Sequence, residues 1–81
     1  MSERLKFQGR LTEKELEAKT LRMKIEGLVK SMRDNLDPFE KPEELPLGLV
    51  SEQSFEIRNL QINLIAANDE IKAINKALGR N

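Results

Sequence analysis

Carboxylates are the side chains with the most potential for acid–base chemistry here, because the 81 residues include no His and no Cys. Two close pairs occur, Glu13 with Glu17 and Asp69 with Glu70. The commonest general base and the strongest nucleophile are therefore missing. Carboxylate pairs of this kind are typical of the solvated face of a helix. We predict that the protein is not an enzyme.

The sequence also predicts neither a metal ion nor a cofactor. Carboxylates are the only good metal ligands present, and no stretch resembles a calcium-binding loop. The four glycines, Gly9, Gly27, Gly48 and Gly79, stand alone and form no phosphate-binding loop.

Basic residues in the first half of the chain suggest one alternative function, a nucleic-acid-binding regulator. They are Lys19, Arg22, Lys24, Lys30 and Arg33. Acidic residues interleave with them as ordinary i,i+4 partners, and the whole chain balances 14 basic against 14 acidic residues. Because no recognition-helix pattern accompanies them, nucleic-acid binding is the less favoured reading.

The elements that must position these side chains are two long helices. In the second, apolar residues recur at alternating spacings of three and four, which indicates a helix lying lengthwise against another helix. This predicted seam comprises Ile57, Leu60, Leu64, Ala67, Ile71, Ile74 and Leu78. We predict that helix 2 spans 51–78, with Ser51 as N-cap, Val50 and Phe55 as a hydrophobic staple, and Gly79 as the C′ residue.

Helix 1 carries the matching stripe, Leu21, Ile25, Leu28 and Met32. Two starts are possible. The apolar track favours a helix over 2–36, whereas Thr12 begins a capping box, with Leu11 and Leu16 as its staple, and favours 12–36. The helix must end before Pro38, because the residue preceding a proline is pushed out of the helical region.

Residues 37–50 contain all three prolines and form the connection between the helices. Several apolar residues lie in it, so we expect it to fold back over the end of the two helices. The sequence thus predicts an all-α fold, a single domain over 1–81 that forms an antiparallel two-helix hairpin of coiled-coil type.

A second apolar set lies away from the seam and comprises Met23, Phe55, Ile62 and Ile65. A lone hairpin of this size has a small core. We therefore expect these residues to form a dimer or partner face, most simply in a homodimer that makes a four-helix bundle. If helix 1 begins near Ser2, Leu5 and Phe7 overhang helix 2 and need a cover from outside the hairpin. With Phe39 they are candidate partner contacts.

Three stretches resemble a family of short uncharacterised proteins encoded in Mu-like transposable phages and prophages. They are Ser2-Glu-Arg-Leu-Lys-Phe-Gln-Gly, Arg22-Met-Lys-Ile-Glu-Gly-Leu and Arg33-Asp-Asn-Leu-Asp-Pro-Phe, and the similarity extends to the closing Ile-Asn-Lys-Ala-Leu-Gly. This resemblance implies a small accessory protein in a bacterial cytoplasm that binds a host or phage protein. It transfers no functional residues.

The predicted function is accordingly a protein–protein interaction module. A structural or assembly component is a further alternative. A cytoplasmic location is also expected from the residues, because no apolar run approaches the roughly 20 residues of a membrane span and the first residues lack the apolar core of a signal peptide.

Overall fold

A computed structural model describes residues 2–80 of the chain. Helix α1 spans Glu3–Asn35, a single 3₁₀ turn spans Pro42–Glu44, and helix α2 spans Leu47–Ala77. The two long helices pack against each other. The prediction of an all-α chain built from two packed helices is confirmed for the described residues.

Helix α1 begins at the earlier of its two predicted starts. Ser2 is the N-cap, and its Oγ accepts a hydrogen bond of 3.2 Å from the Arg4 backbone N–H. The start at Thr12 is wrong: Thr12 lies inside the helix, and its hydroxyl donates to the Gln8 carbonyl oxygen at 3.1 Å. A threonine can make this bond to the preceding turn without ending the helix. Gly9 lies inside α1, where a glycine costs only about 1 kcal/mol relative to alanine and does not end the helix.

Helix α2 begins four residues before the predicted Ser51. Pro46 occupies the N-cap position and its carbonyl accepts a 3.0 Å bond from the Val50 N–H, so the helix is already formed at Ser51. The predicted staple of Val50 and Phe55 is therefore wrong. The C-terminal prediction is confirmed: Gly79 has φ 77°, its N–H donates to the Lys76 carbonyl, and the Arg80 N–H donates to the Asn75 carbonyl. This is a Schellman motif.

The segment between the helices does not fold back over their end as expected. The Phe39 N–H donates to Asp37 Oδ1 at 2.9 Å, which makes a local turn, and the Phe39 ring is 95% exposed. Only Leu45 in the segment between Leu36 and Pro46 is even half-buried. Local turns satisfy this backbone, so the segment needs no packing against the helices.

The helices run antiparallel, as the cross-helix contacts show. Lys14 near the start of α1 binds Glu70 near the end of α2, and Asn35 at the end of α1 binds Gln53 near the start of α2. A buried cluster of Leu11, Ile74 and Leu78 lies near the start of α1 and the end of α2. The hairpin measures 62 × 20 × 14 Å. Its thickness is that of one helix, about 10–12 Å, so each helix has one helical neighbour and an uncovered outer face.

Candidate interaction surfaces

The residues predicted for the seam lie between the two helices. On α1, Leu21 is buried and Ile25, Leu28 and Met32 are half-buried. On α2, Ala67 and Ile74 are buried, as is the C-cap residue Leu78, and Ile57, Leu60, Leu64 and Ile71 are half-buried. These side chains hold the hairpin together, and none of them is among its exposed apolar residues.

Polar residues also occupy the seam, and sequence analysis missed them. The Gln53 side chain donates from Nε2 to Ser31 Oγ at 2.8 Å and accepts at Oε1 from Asn35 Nδ2 at 3.1 Å. All three side chains are partly buried. Gln53 lies four residues before Ile57, and Asn35 seven after Leu28, so extending the two apolar tracks would have found them.

Lys14 forms a second polar link across the helices. Its Nζ lies 3.0 Å from Glu17 Oε2 in the same helix and 3.0 Å from Glu70 Oε2 in α2. The hydrogen bond to Glu17, and then that to Glu70, raise the pKa of Lys14 above its usual 10.5, since both stabilise the charged ammonium. One member of each carboxylate pair considered for chemistry is thus paired with Lys14, Glu17 within α1 and Glu70 across the two helices.

The apolar residues set apart from the seam lie on two different surfaces. Ile62 is two residues from both Leu60 and Leu64, which at about 100° per residue places it opposite the seam. We call the stripe of Phe55, Ile62 and Ile65 the outer α2 face; these side chains are 74%, 49% and 50% exposed. Met23 is likewise two residues from Leu21 and Ile25, so it lies on the far side of α1. The four predicted residues are therefore not one continuous face.

The outer α1 face carries its own exposed apolar side chains, Leu5, Leu16 and Met23. The staple expected to cover Leu16 does not form, because Thr12 is no helix start. Phe7 does not need a cover from outside the hairpin, contrary to expectation: it is half-buried and packs against the cluster of Leu11, Ile74 and Leu78. Leu5 and Phe39 remain the exposed members of the predicted partner contacts.

The basic residues of α1 do not form an uninterrupted stripe. Lys19, Arg22, Lys30 and Arg33 share one flank by helical spacing, with Glu15 and Glu26 between them, and Lys24 lies on the other flank. Arg22 Nη2 also donates to Asn68 Oδ1 of α2 at 3.1 Å. Mixed charge of this kind gives a weak field for attracting phosphates.

Residues 2–80 contain no group of three or more side chains that could together hold a metal ion. Neither long helix combines the length and apolar character required to cross a membrane.

Comparison with known proteins adds no functional assignment. The chain matches no protein-family model, no curated protein and no solved structure. The resemblance to phage-encoded proteins stays a prediction.

Proposed function

We propose that this protein is a non-catalytic protein-interaction module whose outer α2 face packs against a helix of another protein chain. The observation that carries the proposal is the exposure of Phe55, Ile62 and Ile65 on one stripe of a long helix. Fully burying an exposed large apolar side chain contributes roughly 1.5–3 kcal/mol. These three side chains are half to three-quarters exposed, so covering them supplies about half of that each and favours association. Grouped apolar side chains on a surface are typical of interaction sites.

A helix is the partner that best fits this face. The stripe is straight, follows helical spacing, and lies on a rod only one helix thick. A second helix laid along it, or a second hairpin, would give the layered packing of a four-helix bundle. If the phage resemblance holds, a partner other than a second copy would be a phage or bacterial host protein.

Site-specific photo-crosslinking in the producing cells tests the proposal. A photoreactive phenylalanine analogue would replace Ile62, and a matched sample would carry it at Glu26, an exposed position on α1. We expect a discrete adduct with one protein, either a second copy or another chain, from position 62 and not from position 26. Absence of an adduct from positions 55, 62 and 65 alike would show that no protein covers this face.

A further inference from the structure

The outer α2 face has a symmetric arrangement of charge and apolar groups. Arg58 lies four residues before Ile62, and Asp69 lies four residues after Ile65, so the four residues follow one stripe at spacings of four, three and four. Reversing the direction of the helix exchanges Arg58 with Asp69 and Ile62 with Ile65. The stripe is therefore self-complementary when two copies are aligned antiparallel: each charge faces its opposite, and each isoleucine faces an isoleucine.

We infer that the partner covering this face is a second copy of the chain, packed α2 against α2 in antiparallel orientation. In this register Ile62 contacts Ile65 of the partner subunit, and Arg58 forms an ion pair with Asp69 of the partner subunit. Two-fold symmetry repeats both contacts, which gives four isoleucines at the centre and an ion pair at each end. The inference rests on the proposed function, because it names the occupant of the same face.

The two charges on this face, Arg58 and Asp69, do not form an ion pair with each other within the chain. Arg58 and Asp69 lie eleven residues apart on one helix, about 16 Å along its axis, and so cannot contact each other. Arg58 Nη1 donates to Gln61 Oε1 at 2.8 Å, and among residues 2–80 neither Arg58 nor Asp69 is in an ion pair. A parallel second copy would place each charge beside its own kind. Only the antiparallel copy pairs them.

Most residues flanking the stripe are uncharged, namely Ser54, Asn59, Gln61, Ala66, Asn68, Ala73 and Asn75. Lys72 and Lys76 lie on the same side of α2 near its end. The antiparallel register places them opposite Phe55 and Ser51 of the partner subunit, and not directly opposite another cation. Beyond the ion pairs, Phe55 falls opposite Lys72 of the partner subunit, whose aliphatic stem can cover the ring while its ammonium stays in water.

Charge reversal in the purified full chain tests the register. Arg58→Glu, Asp69→Arg and the double variant would be compared with the wild type by sedimentation equilibrium over a hundredfold concentration range. Lys19→Glu, which makes the same charge change on exposed α1, is the matched control. Circular dichroism would establish that each variant is as helical as the wild type.

We expect each single reversal to raise the dimer Kd about tenfold or more, because it turns two attractive pairs into two repulsive ones. The double variant restores opposite charges and should return the Kd to within a few-fold of wild type, and Lys19→Glu should leave it unchanged. A dimer insensitive to the single reversals, or a double variant as weak as either, would overturn the register. A monomeric wild type would also overturn it, whereas a crosslink from position 62 to another protein would still uphold the proposed function.

Discussion

Two leucines on α1 allow a direct test of which face of the helix holds the hairpin together. Leu11 is 6% exposed in the cluster with Ile74 and Leu78, whereas Leu16, five residues later in the same helix, is 64% exposed. Truncating a buried leucine to alanine removes its burial and leaves a cavity, for a cost of about 2–5 kcal/mol. Leu11→Ala should therefore lower the free energy of unfolding by at least 2 kcal/mol.

Leu16→Ala is the matched control, because it makes the same substitution in the same helix. The Leu16 side chain is only about a third buried, so truncating it removes roughly 0.5–1 kcal/mol of burial free energy. The higher helix propensity of alanine offsets part of this loss. Urea unfolding followed by circular dichroism, at one fixed protein concentration, measures both. Equal losses for the two variants would mean that the outer α1 face is buried as deeply as the seam, and the packing described above would be refuted.

Three further substitutions have expected outcomes that the same unfolding assay can check. Gly27→Ala should stabilise the hairpin by about 0.5–1 kcal/mol, because alanine is the better helix former and a Cβ at Gly27 would meet no atom within 4 Å; a loss would indicate an unseen contact there. Gln53→Leu should raise stability by about 1 kcal/mol by placing an apolar side chain in the seam, and a loss above 1 kcal/mol would show that its hydrogen bonds outweigh burial. The pKa of Lys14 is raised in the folded state, so the stability from its interactions is complete below pH 10.5 and is lost as the pH rises through the folded-state pKa. The urea midpoint of the wild type should therefore fall more between about pH 8 and about pH 11.5 than the midpoint of Lys14→Gln. Equal falls in both proteins would refute the role of Lys14.

The helical architecture could be predicted because one strong signal, the alternating three-and-four spacing of apolar residues, runs through both halves of the chain. The helix starts were harder, because several residues offered plausible caps. Thr12 has the side chain and the acidic partner of an N-terminus but lies in mid-helix, where its hydroxyl bonds the preceding turn instead. The seam track also continues backwards from Ile57 through Gln53 to Val50, and it would have indicated that α2 begins before Ser51.

The candidate interaction residues were found as apolar positions off the seam, but their arrangement in space was not. Met23 and Ile62 each lie opposite their own seam, and in a hairpin only one helix thick this places them on opposite sides of the molecule. The sequence places Phe7 in an overhang because spacing along one helix does not define the register between the two helices. That register depends on side-chain contacts between helices, such as Lys14 with Glu70, which spacing along one helix does not contain.

Polar residues in the seam give a reason for this register. Lys14 and Asn35 continue the seven-residue track of Leu21 and Leu28, and Gln53 continues the track of α2, so each occupies a place that an apolar residue would fill with more stability. A polar residue in such a seam specifies alignment, because sliding one helix past the other would separate Gln53 from Ser31 and Asn35. The hairpin is thus held in one alignment at both ends, and its outer faces have a fixed relation to the seam. A stripe such as the outer α2 face can act as a recognition surface only on a helix that neither slides nor rotates against its neighbour.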